Sequence, residues 1–288
     1  MSSTSTAAPA DSAEAHGHGH DHHHDPTLAH HFDSHEQQFD AGKLGIWVFL
    51  VTEILFFSGL FCAYAIWRAN HPEVFHYAHH YLDTKWGAIN TVVLLVSSLT
   101  AAWAVRSAQL GDQKGLQRNL LITILCAFGF MGIKTIEYTA KYHHGTLPGA
   151  NFHPHADSMI LIEDGEFVGV AKDVARQELA AMYPDMPAEG ELTAGQEEAV
   201  HLYSAKLVEQ ADPVPDSVPV FFSIYFFMTG LHGVHVVAGI FAIFWVYLRA
   251  RRGEFTKKYF GAVDYVALYW HLVDLIWIYL FPLLYLIS

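Results

Sequence analysis

Ionisable side chains occur inside four of the long apolar runs of this sequence. Glu53 lies in WVFLVTEILFFSGLF, and a second acid, Glu137, lies near the end of a later run. Two further runs each carry two ionisable residues spaced i, i+3, which places both on one helical face. These are His232 with His235 in TGLHGVHVVAG, and His271 with Asp274 in YWHLVDLIWIYL. Inside a membrane such groups are costly, so each needs a partner, an aqueous cavity or a neutralising proton.

Three kinds of chemistry fit these residues. The histidines could ligate a haem or a metal, but one i, i+3 pair and a lone histidine do not match a site that needs paired ligands at two levels. The acids and histidines could instead form a path for protons or other ions. They could also form a buried polar network that joins helices and seats lipid headgroups, which the nearby Gly230, Gly233 and Gly239 favour. The residues alone do not decide between the last two alternatives.

Five predicted transmembrane helices would position these groups. The chain of 288 residues is 52% hydrophobic and only 16% charged, and its apolar residues gather in runs of a length that spans a bilayer. The runs are apolar nearly all round, unlike the amphipathic helices of a soluble core. The predicted fold class is therefore an all-α integral membrane protein, a five-transmembrane-helix bundle. We place the spans at 44–67, 86–106, 119–141, 218–248 and 264–286.

The spans divide the chain into four segments. Residues 1–40 form a polar, His-rich tail that we expect to be disordered. Residues 41–142 contain helices 1–3, residues 143–217 form a polar insert, and residues 218–288 contain helices 4 and 5. The tail lacks the basic and apolar regions of a signal peptide, so we expect the first span to be retained.

Histidines in the tail motif HGHGHDHHHD are weak candidates for a metal site. Imidazoles bind copper, zinc and nickel, but no fixed scaffold holds these rings in one geometry. A loose metal sink, or a contribution to solubility, is therefore favoured over a specific site. The candidate residues are His16, His18, His20, His22, His23 and His24.

Lysine and arginine predict the orientation. The loops after the second and fourth spans are basic, whereas the loop after the first has only Arg68 and Lys85 at its edges. The positive-inside rule then places the N-terminus in the cytoplasm, and the insert and the C-terminus outside. We count depth from the cytoplasmic ends of the helices at about 1.5 Å per residue. By this count, Glu53 lies at a similar level of the bilayer as His235 and as the pair His271 and Asp274. We expect Glu137 near the outer face, where the lysine one turn earlier could pair with it.

The insert between helices 3 and 4 is acidic and has local structure. Residues 142–217 contain 14 acidic and 3 basic side chains, a net charge of −11. MILIEDGEFVGV predicts a β-hairpin that turns at Asp164-Gly165, and two helices are predicted at 171–182 and 194–210. This small α+β extramembrane lobe could attract a basic protein by electrostatic steering. A solvated face, or packing against a neighbouring subunit, is the more ordinary interpretation.

Several classes of function are excluded by the sequence pattern. The chain has no phosphate-binding glycine loop, zinc-finger cysteine spacing or nucleophile elbow. Its formal net charge of −13 gives no basic footprint for a nucleic acid. We therefore expect no nucleic-acid partner.

Three separated motifs resemble cytochrome c oxidase subunit III of the haem–copper oxidases: GKLGIWVFLVTEILFFSGLFCAY, TGLHGVHVVAG and YWHLVDLIWIYLFPLLY. The order and spacing of the spans are similar to the five-span bacterial form. The resemblance implies a non-catalytic subunit of an aerobic terminal oxidase in the bacterial inner (cytoplasmic) membrane. That complex reduces oxygen to water with electrons from cytochrome c and moves protons outward.

The resemblance also implies partners and cofactors. It implies no redox centre in this chain, haem and copper in partner subunits, direct packing on oxidase subunit I, and subunit II in the same complex. It implies phospholipids in a cleft between the first two spans and the remaining bundle. The implied role is to sustain proton uptake into subunit I and to protect the active site during turnover.

The resemblance assigns residues of each motif to polar positions of the family. Glu53 matches the family's intramembrane, carbodiimide-reactive carboxylate, and Glu137 in IEY matches an acid near the end of the corresponding helix. Polar positions of the last two helices are matched by His232, His235, His271 and Asp274.

Two features depart from the family pattern, and alternatives stay open. The long insert could signal a special partner, such as cytochrome c or a member of a respiratory supercomplex. Lys134 stands where we expect a neutral residue. The alternatives are the equivalent subunit of a quinol oxidase or nitric oxide reductase complex, and a stand-alone proton-coupled transporter. Inverted repeats would favour a transporter, and the sequence shows none.

Overall fold

The computed structural model describes residues 29–148, 152–163 and 166–287. In chain order its helices are α1 (His35–Asn70), α2 (Pro72–Ala78), α3 (Thr84–Leu110), α4 (Gln113–His143), α5 (Ala171–Met182), α6 (Ala194–Gln210), α7 (Val218–Arg251) and α8 (Gly261–Tyr285). Within these described ranges, α1, α3, α4, α7 and α8 are long and apolar enough to cross a membrane. The five predicted spans fall on these helices, so the predicted fold class is confirmed.

Polar residues cap the starts of the long helices α1 and α3. The side chain of Ser34 accepts a hydrogen bond from the backbone N–H of Gln37 at the start of α1. Asp83 caps α3 in the same way. Such caps satisfy backbone donors that a first helical turn leaves unpaired. Since α1 begins at His35, the last residues of segment 1–40 are helical, in contrast to the expected disorder.

The tight turn between α3 and α4 explains their antiparallel packing. Gly111 ends α3 with a φ of 77°, a left-handed conformation that favours glycine. Asp112 then caps α4 through the backbone N–H of Gly115 at 3.0 Å. With so short a connection, the two helices lie side by side along their length.

The packing of the bundle corrects one expectation. Helix α3 packs against α4 and α8, and α8 also contacts α7 and α1. A cleft between the first two spans and the remaining bundle is therefore not the arrangement found, because the second span is the close neighbour of the third. Helix α1 lies at the edge instead. Many of its apolar side chains, including Leu44, Leu55 and Ile66, are exposed on the bundle surface.

The insert contains the predicted local structure. Strand β1 (Ile160–Glu163) pairs with β2 (Glu166–Val170) in an antiparallel hairpin, while the predicted turn at Asp164-Gly165 lies outside the described residues. Helices α5 and α6 match the two predicted helices, and the side chains of Thr193 and Gln196 form a capping box at the start of α6. The hairpin and these two helices confirm the small α+β element between the third and fourth spans.

Two tyrosines attach the insert to the bundle. The backbone N–H of Ile160 donates to the Tyr81 hydroxyl at 3.2 Å, and the Ile160 carbonyl accepts from the Tyr77 hydroxyl at 3.3 Å. Tyr77 belongs to α2, and Tyr81 to the short turn that follows it. Burial raises the pKa of both phenols, so both stay neutral near neutral pH. We call this contact the tyrosine clamp.

Candidate functional site

Glu53 contacts a histidine of another span. Its Oε2 lies 2.9 Å from Nε2 of His235, which joins α1 to α7. The two side chains are 18% and 17% exposed, so the pair lies at the border of the bundle and not in its core. The ring of Phe57 packs edge-on against His235 with centroids 5.2 Å apart. Of the groups predicted at one depth, the structure brings these two together.

Hydrogen bonding determines how this pair holds its protons. Nδ1 of His235 lies 2.9 Å from the backbone carbonyl of Leu231, which can only accept, so Nδ1 carries a hydrogen. The contact between Nε2 and Glu53 then requires one more proton, either on the carboxyl group or on the ring. The pair therefore shares one proton between a carboxylate and an imidazole. This arrangement can accept and release a proton without a large movement of either side chain.

His271 and Asp274 lie against α3 instead of Glu53. Nδ1 of His271 is 2.6 Å from Oγ of Ser98. Ser98 also lies beside Asp274, but neither carboxyl oxygen of Asp274 has a hydrogen bond of normal geometry among the described residues. Asp274 is only 2% exposed. The structure thus separates this pair from Glu53, although the sequence predicted a shared level.

His232 is a core residue. It is fully buried, and neither ring nitrogen has a hydrogen-bond partner within the described part of the chain. Its ring packs between Phe130 and Trp277, with centroids 5.6 Å and 5.5 Å away. Although His232 and His235 are spaced i, i+3, one contacts core aromatics and the other contacts Glu53.

Glu137 is at the centre of a buried ionic network. Its Oε2 lies 2.8 Å from Nζ of Lys134, and its Oε1 lies 3.5 Å from Nζ of Lys141. Oε1 also accepts hydrogen bonds from the hydroxyls of Tyr225 at 2.6 Å and Tyr285 at 2.5 Å. The carboxylate therefore has both counter-ions and donors, which is what a buried charge requires.

Sequence reasoning found only part of this network. The pairing of Glu137 with Lys134 was expected from the i, i+3 spacing and is present. Lys141 has the i+4 spacing that allows contact on one helical face, and this signal was missed. The two tyrosines come from α7 and α8, and nothing in the local sequence indicates that they reach α4.

Metal ligands are not assembled in the described part of the chain. No three histidine, cysteine, aspartate or glutamate side chains among residues 29–148, 152–163 and 166–287 lie close enough to hold one metal ion. The weak metal candidates of the tail fall outside those residues. They are His16, His18, His20, His22, His23 and His24.

A family comparison matches the membrane part of the chain. The family model described as cytochrome c oxidase subunit III matches residues 23–146 and 200–288. These ranges contain all five long helices, with Glu53, Glu137 and the polar residues of α7 and α8. Between the two matched ranges, residues 147–199 contain the hairpin, α5 and the start of α6. Most of the insert is therefore additional to the family pattern.

Individual relatives are similar over most of their length. The chain is 28% identical over 249 residues to the cytochrome c oxidase subunit 3 of Corynebacterium diphtheriae, which covers 85% of this chain and 88% of that protein. It is 25% identical over 245 residues to a probable cytochrome c oxidase subunit 3 of Mycobacterium tuberculosis, covering 85% and 87%. It is also 24% identical over 266 residues to the quinol oxidase subunit 3 of Bacillus subtilis, covering 90% and 97%.

Proposed function

The chain belongs to the cytochrome c oxidase subunit III family, and from this membership we propose that it is the supporting subunit of a bacterial respiratory terminal oxidase. Haem and copper lie in partner subunits. Subunit I is the direct neighbour, and subunit II is part of the same complex. The complex lies in the inner membrane, with the N-terminus of this chain in the cytoplasm and the insert and C-terminus outside. This chain sustains proton uptake while oxygen is reduced elsewhere.

The Glu53–His235 pair is the observation that carries this proposal. It shares one proton, it is partly exposed at the border of the bundle, and it joins two spans. A group that exchanges protons needs access to water or to a neighbouring proton carrier. Glu137 lacks that access, because two lysines and two tyrosines enclose it. We therefore assign proton supply to Glu53 and a structural role to the Glu137 network.

Replacement of Glu53 by glutamine tests this assignment. Glutamine retains the size and hydrogen-bonding capacity of the side chain but cannot exchange a proton. In the purified complex, Glu53→Gln is expected to leave the haem content unchanged and to slow proton uptake and turnover severalfold. Glu36→Gln, an exposed change in the first turn of the same helix, is the matched control and should have no effect.

Other outcomes of this experiment would contradict the proposal. Loss of haem from the Glu53→Gln complex would assign the residue to assembly. Unchanged proton uptake with a lower content of copurified phospholipid would favour the packing and lipid alternative. Phospholipid is proposed to cover the exposed apolar side chains of α1, so the lipid content should be measured for both variants.

The electron donor distinguishes two forms of this proposal. The relative from Corynebacterium is named a cytochrome c oxidase subunit, and the relative from Bacillus a quinol oxidase subunit. Purification of the complex, mass spectrometry of its chains, its haem spectrum and its reduction by cytochrome c or by a quinol decide between them. A colourless protein that purifies alone would contradict both forms and favour a transporter.

The acidic insert is proposed to contact a basic partner, with cytochrome c or another respiratory complex as the class of partner. Most of its carboxylates, among them Glu189, Glu191, Glu197 and Glu198, are exposed, and a surface of one charge sign raises the rate of encounter with an oppositely charged protein. The salt dependence of turnover, compared between the full chain and a chain without the insert, tests this contact.

A further inference from the structure

A cluster of histidines lies where the insert meets the bundle. The ring of His80 stacks on Phe167 of β2, with centroids 4.0 Å apart and planes inclined by 10°. The ring of His79 lies 3.9 Å from that of His80, and the ring of His76 lies 5.6 Å and 5.8 Å from the two. We call His76, His79, His80 and Phe167 the histidine latch. Like the tyrosine clamp, it joins the insert to the α2 region.

The histidine latch is unfavourable for a positive charge. Nε2 of His80 is buried and has no hydrogen-bond partner among the described residues. An imidazolium would therefore bury an N–H without an acceptor, next to two further imidazoles. Burial, with smaller contributions from His79 and His76, lowers the pKa of His80 to about 4. The stacked ring is neutral at neutral pH.

Further titratable groups lie at the junction between the insert and the bundle, which we call the seam. They line a cavity of about 620 Å³ between the insert and the ends of the long helices. Burial and nearby cations also lower the pKa of His144. Burial opposes the ionisation of Asp157, but hydrogen bonds from Ser204 and His201 outweigh it and lower the pKa of that carboxyl group. The groups that face the seam are His80, His143, His144, His155, Asp157, Lys172, Asp173 and His201, and Arg68 acts on His79.

We propose that the histidine latch makes the attachment of the insert dependent on pH, holding β2 against the bundle when the His80 ring is neutral and releasing it when that ring is protonated. The tyrosine clamp at Ile160 does not titrate in this range. The insert therefore swings about β1 and does not detach. An imidazolium at His80 gains contact with water only when Phe167 moves away from the ring.

The direction and size of the pH effect on docking follow from the linkage between docking of the insert and protonation of His80. A histidine released into water titrates near its ordinary pKa of about 6.5, whereas the docked His80 titrates near 4. Docking is therefore fully stable above about pH 6.5, weakens as the pH falls toward 4, and weakens no further below that. Between pH 7.5 and pH 5.0 the ratio of released to docked insert should rise about 30-fold through His80 alone.

Distance measurements between two spin labels test this proposal in the full chain in lipid nanodiscs. One label replaces the exposed Val168 on β2, and the other replaces the exposed Leu110 at the far end of α3. Both free cysteines, Cys62 and Cys126, are changed to serine so that only these two sites react. At pH 7.5 we expect one narrow distance distribution, and at pH 5.0 a second, broader population.

Three variants assign the change to the latch. His80→Phe keeps an aromatic ring on Phe167 but cannot be protonated, so its distribution should stay narrow at pH 5.0. Phe167→Ala removes the stack and should show the broad population already at pH 7.5. His153→Gln, an exposed histidine of the same insert, is the matched control and should behave like the parent chain.

Two results would overturn the proposal. The first is a parent distribution that does not change between pH 7.5 and pH 5.0. The second is a pH-dependent change of equal size in His80→Phe and in the parent, which would assign the titration to other groups of the seam. Because Phe167→Ala acts at neutral pH, it also reports whether the stack holds the insert if His80→Phe does not fold.

Discussion

The two intramembrane glutamates differ in what surrounds them. Glu53 has one histidine partner and partial exposure, whereas Glu137 is enclosed by two ammonium groups and two phenols. Counter-charges and hydrogen-bond donors around the carboxylate are what a buried charge requires. At the scale of the residue, this difference is the basis for the proposed assignment of proton supply to Glu53, while Glu137 joins helices α4, α7 and α8.

Replacement of Glu137 by glutamine should destabilise the bundle strongly. It leaves the ammonium groups of Lys134 and Lys141 buried without a counter-ion, and breaking a buried ion pair in this way costs about 3–5 kcal/mol. The free energy of unfolding, measured by denaturant titration in detergent, gives the value.

A second variant separates lost charge from lost packing in the Glu137 network. Adding Lys134→Met to Glu137→Gln removes one of the orphaned charges and should recover part of the loss. Glu198→Gln, an exposed change on α6, is the control. A change below about 0.5 kcal/mol for Glu137→Gln, the size typical of a surface substitution, would contradict a structural role for the network.

At the scale of the element, close contact between α7 and α8 depends on a missing side chain. A Cβ placed on Gly239 would lie 2.6 Å from two ring carbons of Trp270. Trp270 is itself buried and donates from Nε1 to Oγ of Ser97 at 2.9 Å. Its ring is thus fixed between α3 and α7. The absence of a side chain at Gly239 allows α7 and α8 to approach each other. Gly233, which precedes Gly239 on α7 by nearly two turns, has open space at its Cβ position.

Alanine at these two glycines should have opposite effects. Gly239→Ala forces the indole of Trp270 or the backbone of α7 to move, and overpacking of this kind costs about 1–3 kcal/mol. Gly233→Ala fits the available space and should be neutral or slightly stabilising, because alanine favours the helix more than glycine does. Thermal unfolding of the two variants side by side measures the difference. Equal midpoints would show that the Trp270 contact is not a constraint.

At the scale of the whole molecule, the insert is an addition to the bundle of long helices. The family match runs on either side of residues 147–199. The insert has its own small core of Ala175, Leu179 and Val200. Its contacts with the bundle described above, the tyrosine clamp and the histidine latch, both involve the α2 region. The five long helices pack on one another without it.

Deletion of residues 150–212 should therefore spare the bundle. The shortened chain is expected to insert, to copurify with its partner subunits and to retain their haem. If the acidic insert contacts a basic partner, rising salt should weaken that contact, because salt screens exposed charges. Turnover of the complex that contains the full chain should then fall with salt more steeply than turnover of the complex that contains the deletion variant. Equal salt slopes would remove the contact, and failure of the deletion variant to assemble would make the insert structural.

Local features of the fold could be predicted because local sequence determines them. A run of about 20 apolar residues predicts a spanning helix, since a helix satisfies its backbone hydrogen bonds within the segment itself. The hairpin, α5, α6 and the capping box of Thr193 and Gln196 follow from alternation, periodicity and end signals within a few residues. The same local spacing predicted the pairing of Lys134 with Glu137.

Only the tertiary structure decided which polar groups meet across helices. Depth placed Glu53 level with several partners, but the rotation of each helix selected His235 and turned His271 toward Ser98. Tyr285 reaches Glu137 across 148 residues of sequence, and His80 reaches Phe167 across the junction of insert and bundle. Rotation and separation of helices depend on every side chain in the interface, as Gly239 and Trp270 illustrate. No short stretch of the sequence contains that information. Local sequence therefore sets the helices and their charged residues, and helix packing selects the partners of those residues.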